Sequence, residues 1–109
     1  MSEITTIVLF EVPEMHAERF LLDWQESNAF MTQQDGLIEG TLYQASEDNA
    51  LYRFVNIARW ASEEALDRAR DRLRLQLAER GIDQKATWAV LGIKVSPFSY
   101  SALVNYQRS

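Results

Sequence analysis

A chain of 109 residues, 47% apolar and 25% charged, holds enough material for one domain with one core, spanning residues 1–109, and is too ordered in composition for a flexible segment. Its net charge of -5, with Arg68, Arg70, Arg72 and Arg74 interleaved by Asp67 and Asp71, argues against a nucleic-acid partner, because an acidic surface repels phosphates. With no cysteine, no basic leader and no apolar run of membrane-span length, disulfides and thiolate chemistry are excluded, and a cytoplasmic protein without a membrane partner is expected.

Ile4 to Val12 reads as a strand, rich in β-branched residues and ended by Pro13. Glu14 to Gln34 reads as one amphipathic helix, with Ala17, Phe20, Leu21, Trp24, Asn28 and Met31 recurring at spacings of three and four. Asp35-Gly36 ends it. Leu37 to Ala45 is a second strand, Ser46 to Asn49 a polar turn, and Leu51 to Trp60 a third strand. Alternation puts Tyr52, Phe54, Asn56, Ala58 and Trp60 on one face of that strand, and Leu51, Arg53, Val55, Ile57 and Arg59 on the other.

Ser62 is placed to cap a second helix whose apolar stripe is Ala65, Leu66, Ala69, Leu73 and Leu77, stopped by Gly81. Residues 82–97 allow two readings: Ala86 to Leu91 is a short helix, or an extended piece anchored by Trp88. Tyr100 to Tyr106 reads as the final strand.

The predicted order is β-α-β-β-α-β, an α+β chain of ferredoxin-like order with an antiparallel sheet. Helices on one face of such a sheet leave the other face bare. That face carries Leu51, Val55, Ile57 and Leu103, and a contiguous apolar patch is seldom left in water. A homodimer is therefore expected, closing two sheets into a dimeric α+β barrel, with Arg53 and Arg59 at its rim or paired across it.

Nucleotide-binding, hydrolase and zinc-protease motifs are all missing, and His16 is the only histidine. The informative pattern is Asn56-Ile57-Ala58-Arg59-Trp60, where an amide interrupts an otherwise apolar and aromatic strand phase. One reading is a structural hydrogen bond that satisfies a buried amide. The other is an amide aimed into a cavity, where it stabilises a phenolate or enolate while Trp60 stacks on a flat ligand.

Asp35-Gly36-Leu37, the hairpin with Asn56 and Trp60, and Trp60-Ala61-Ser62-Glu63-Glu64-Ala65 together resemble the antibiotic biosynthesis monooxygenase family of the dimeric α+β barrel superfamily. The resemblance spans about residues 4–80. It implies oxidation of a hydroquinone-type aromatic small molecule by O2 without metal or flavin, so no cofactor is expected. It further implies Asn56 and Trp60 as catalytic residues. Two departures stand out. Leu66 occupies a position where such an enzyme uses a tyrosine, and Arg70 stands where heme-degrading relatives carry their iron-binding histidine.

Tyr52, Phe54, Trp24 and Arg70 are the expected substrate-binding residues. Two other functions share the scaffold. An isomerase or cyclase would need an acid–base pair near Asn56. A non-catalytic ligand-binding dimer would lack convergent polar groups, or fill its cavity with Trp24, Trp60 and Trp88.

Overall fold

The computed structural model describes residues 2–109. Four strands form one antiparallel sheet: β1 (Ile4–Glu11), β2 (Leu37–Gln44), β3 (Phe54–Trp60) and β4 (Lys94–Tyr100), in the order β2-β3-β1-β4. Three helices, α1 (Ala17–Met31), α2 (Glu63–Glu79) and α3 (Gln84–Val90), complete a ferredoxin-like α+β fold. Among the two readings of residues 82–97, the helix is the one adopted. The Asp83 side chain accepts from the Ala86 N–H at 3.1 Å and caps α3.

Alternation on the sheet decides which residues meet the helices. Ile4, Thr6 and Phe10 of β1 and Phe54, Ala58 and Trp60 of β3 are buried, while the residues between them are only partly covered. Two clusters form beneath the helices. One joins Ile4, Ala58 and Trp60 to Ala65, Leu66 and Ala69 of α2. The other joins Phe10, Val12 and Phe54 to Phe20, Trp88 and Ile93. In the second, Phe20 is fully buried, stacked on Phe54 at 4.9 Å and tilted against Phe10 at 4.8 Å. Full burial of such a ring contributes about 1.5–3 kcal/mol before the ring pairs are counted.

Gly36 shows why two sequence signatures belong together. Its φ of 98° suits a residue without a side chain, and a Cβ there would lie 2.5 Å from the Ala65 Cβ. The Ala61 N–H donates to the Gly36 carbonyl at 2.7 Å. The turn after α1 is thus locked against the start of α2, where the Ser62 hydroxyl oxygen accepts from the Ala65 N–H at 3.1 Å.

Several expected boundaries move. The first helix does not begin at Glu14: a 3-10 turn over Glu14–His16 precedes α1, closed by the His16 N–H donating to the Pro13 carbonyl at 2.9 Å. β3 begins at Phe54, so Leu51 (64% exposed) and Tyr52 (36% exposed) belong to the hairpin loop and to neither strand face.

The final strand is the largest correction. It spans Lys94–Tyr100, ending where Tyr100–Tyr106 was expected to begin. Its pairing with β1 runs from Glu11↔Lys94 to Thr5↔Tyr100, and β1 is then nearly exhausted. Only Ile4 of β1 lies beyond that last pair, too little to continue the strand to Tyr106, and Leu103 (94% exposed) and Tyr106 (90% exposed) stand in solvent. Pro97 is admitted inside the strand because β4 is an edge.

The face turned away from the helices carries two apolar rows set by the register: Tyr43, Val55 and Leu9, then Ile57, Ile7 and Phe98. Arg59 lies on that face with its Nε 3.4 Å from Glu3 and 3.5 Å from Glu39, both in the same chain. Arg53 donates from Nε to the Val12 carbonyl at 3.0 Å, whereas the buried Arg59 Nε has ion-pair neighbours but no hydrogen-bond acceptor among the described residues.

Candidate functional site

A cavity of about 360 Å³ lies between the sheet and the helices, bounded on one side by Phe10 and Trp88 and on the other by Ala58, Trp60 and Leu66. It therefore separates the two core clusters. Its size falls at the lower end of the range for small-molecule sites, roughly 300–1,000 Å³. Trp24, Trp60 and Trp88 all line it and do not fill it.

Asn56 reaches the floor of this cavity because β3 alternates: Phe54, Asn56, Ala58 and Trp60 share the helix-side phase. In the sheet it stands between Val8 of β1 and Leu42 of β2. Trp60, two pleats further on, forms the wall toward α2. Gly40 also lines the cavity, and a Cβ there would meet that of Ala58 at 3.0 Å, so its missing side chain keeps the floor open.

The other polar walls are partly satisfied by the fold. The Thr6 hydroxyl donates to the Ala58 carbonyl at 3.4 Å, and the Thr32 hydroxyl to the Ala29 carbonyl at 3.1 Å. Gln84 of α3 donates from its amide to the Ser27 hydroxyl oxygen at 3.0 Å. Asn28, Asn56 and Arg70 line the cavity without a side-chain hydrogen bond among the described residues. Burial pushes the Arg70 guanidinium pKa down, and the nearby Asp67 carboxylate opposes that shift.

Of the six residues expected at the site, Asn56, Trp60, Trp24 and Arg70 line one cavity. Phe54 does not line it: the ring is stacked under Phe20 in the aromatic cluster. Tyr52 does not line it either, because it precedes β3 in the hairpin loop. His16 ends the 3-10 turn before α1 and is likewise not a lining residue. Asn28 and Gln84 were not anticipated. Asn28 carries the same signal as Asn56, a polar residue on an apolar stripe. Gln84 carries no sequence signal, since α3 itself was one of two readings.

The helical side of the cavity is held by polar ties between α1 and α3. The Trp88 Nε1–H donates to Asp23 Oδ2 at 3.0 Å, and Asp23 also pairs with Arg19 at 3.1 Å. Together with the Gln84–Ser27 bond, these fix α3 over the aromatic end. Among the described residues no group of three His, Asp or Glu side chains gathers as a metal site would need, and no helix is long and apolar enough to cross a membrane.

Comparison with known proteins places this geometry. No curated protein matches the chain. Among solved structures, a protein from Shewanella loihica PV-4 proposed to be a monooxygenase is 27% identical, with a TM-score of 0.79 over 95% of this chain and 97% of that one. SnoaB, described as a cofactor-independent oxygenase from Streptomyces nogalater, is 24% identical, with a TM-score of 0.67 over 99% and 100% of the two chains. A dimeric ferredoxin-like protein from an uncultured marine organism is 9% identical, with a TM-score of 0.72 over 97% and 100%. The last two likenesses are of fold alone. The antibiotic biosynthesis monooxygenase family model matches residues 3–78, well over half the chain. That span contains Asn56, Trp60 and both sides of the Gly36–Ala65 contact, and the chain belongs to the antibiotic biosynthesis monooxygenase family.

Proposed function

We propose that this protein is a monooxygenase that oxidises a hydroquinone-type aromatic small molecule with O2, without a metal or organic cofactor. The observation that carries the reading is the Asn56 amide, without a hydrogen-bond partner among the described residues and lining an aromatic cavity beside Trp60. Protein side chains do not themselves carry oxygen redox chemistry, so in this reading the substrate supplies the electrons. An ionised phenol ring bonds one oxygen atom of O2 at a ring carbon bearing hydrogen. The O–O bond then breaks, water leaves with the displaced ring hydrogen and the phenolic proton, and a quinone remains. Asn56 donates from its amide to the phenolate oxygen, and Trp60 and Trp24 hold the ring flat.

Among the described residues, the cavity lining contains no carboxylate, imidazole, amine or phenol. An isomerase or cyclase on this scaffold would lack the acid–base pair it needs there. The same absence shapes the expected pH profile. Turnover should rise with pH and level off near the pKa of the substrate's own hydroxyl, with no protein group setting a second limb. The decisive experiment is oxygen uptake by purified, metal-free protein across naphthol- and anthrone-type substrates, with the quinone product identified. Uptake equal to the buffer rate across the panel would overturn the reading.

The working species in this reading is a homodimer built on the open sheet face. Ile7, Leu9, Val55, Ile57 and Phe98 lie on the side of the sheet turned away from the helices. Sedimentation at micromolar concentration should give twice the 12.6 kDa chain mass, and Ile57→Asp should return it to one. A wild-type particle at the single-chain mass would refute the dimer.

A further inference from the structure

Among the described residues, Arg70 is the only charged one lining the cavity. Leu66, Arg70 and Leu73 recur at helical spacing on α2 and all three face the hollow. Arg68 is exposed, and three other arginines nearby are used differently. Arg74 meets Asp71 at 2.8 Å, Arg80 meets Glu26 at 2.6 Å, and Arg72 donates to Gln34 at 3.5 Å. Arg70 makes no hydrogen bond or ion pair among the described residues, and it is only partly exposed. A guanidinium stays protonated in proteins and presents a planar fork of donors. That fork has lost part of its water, which the nearby Asp67 carboxylate offsets only in part, and an anion entering the cavity adds an acceptor.

We propose that the cavity takes an aromatic ligand bearing a carboxylate, and that Arg70 binds the carboxylate. The site has two polar poles on opposite walls. Asn56, on the sheet, is a neutral amide suited to a hydroxyl or phenolate oxygen. Arg70, on the helix wall, is a cation suited to a permanent negative charge. One carboxylate matches one guanidinium in charge and in bidentate shape. A phosphate dianion would leave a second charge without a partner, because the remaining polar walls are neutral amides and hydroxyls. The lowered pKa of Arg70 fits the same picture, since its first cause is loss of water. The inference rests on this cavity being the ligand site of the function proposed above. It does not depend on the oxidation step.

Binding is measured by calorimetry, without oxygen, for three probes: naphthol, hydroxynaphthoate and naphthyl phosphate. Hydroxynaphthoate should bind about tenfold or more tighter than naphthol, the range of a hydrogen bond to a charged group. Arg70→Met should abolish that preference while leaving naphthol binding within about twofold, since the aliphatic stem is kept. Arg70→Lys should restore part of the preference, because charge returns without the fork. Thermal unfolding confirms that each variant is folded. Should both fail to fold, the wild-type comparison still decides. Equal affinity of wild type for naphthol and hydroxynaphthoate would overturn the inference, as would a preference that survives in Arg70→Met, or tightest binding of naphthyl phosphate. Absence of oxygen uptake by the wild type bears on the reaction alone, because the carboxylate preference is read without it.

Discussion

Phe54 and Asn56 are two residues apart on one strand and face the same helices, yet they end in opposite surroundings. Phe54 is sealed against Phe20, within a cluster that also holds Phe10 and Trp88. Asn56 opens onto a cavity of about 360 Å³. One half of the covered face is filled with aromatic rings, and the middle is left hollow. The contrast teaches that α1 contributes stability and a binding wall from the same stripe. Phe20 plugs one region, while Trp24 and Asn28, four residues apart on the next turns, border the empty one.

The largest effect is expected in the filled half. Phe20→Ala removes a fully buried ring and its stacking partners, and should cost about 3–5 kcal/mol in urea unfolding. A loss under about 1 kcal/mol, within the range of a surface change, would mean that this half is not the dense core it appears in the structure.

The hollow should behave in the reverse way. Asn56→Ala leaves no orphaned partner among the described residues, so the unfolding midpoint should hardly move. Oxygen-dependent turnover should fall about 100- to 1,000-fold if the amide stabilises developing phenolate charge. Unchanged turnover would remove Asn56 from the mechanism, and a large drop in stability would make it a structural amide.

A third change sharpens the comparison by filling the empty region. Leu73 lines the cavity from α2, and Leu73→Phe should raise stability by about 0.5–2 kcal/mol, as cavity-filling changes do. Naphthol binding should be lost at the same time. If affinity is retained, ligands bind elsewhere.

The smallest effect is expected at the seam between the halves. Trp88→Phe keeps an aromatic ring in the cluster but removes the indole donor to Asp23. About 1 kcal/mol should be lost, the worth of one hydrogen bond, because Asp23 keeps its pairing with Arg19. A loss several times larger would show that α3 depends on that single tie.

Much of this was legible in the residues. The alternation of β3 put Asn56 and Trp60 on a common face, the stripe of α2 was read from Ala65 to Leu77, and Asp35-Gly36 was read as a stop, although α1 itself already ends at Met31. These features depend on spacing along the chain, where backbone geometry imposes periods of two and 3.6 residues. The family resemblance was legible for a related reason: Gly36, Ser62 and Ala65 are fixed by φ, capping and close approach, which few other residue types allow. Other features were not legible. Tyr100 to Tyr106 alternates like a strand, but alternation cannot report that β1 runs out of pairing partners at Thr5. Phe54 and Asn56 share a phase, yet nothing local says that Phe20 covers one and not the other. Arg70 was an expected substrate-binding residue, but spacing along the arginine run does not separate it from Arg68, Arg72 and Arg74; only the packing of α2 puts it in the cavity lining and leaves those three out. The sequence by itself determined the elements up to the second helix, their faces and the family resemblance, because those follow from neighbours along the chain. The tertiary structure alone decided where the sheet ends, which volume stays empty and which charge borders it, because those depend on residues far apart in sequence competing for the same space.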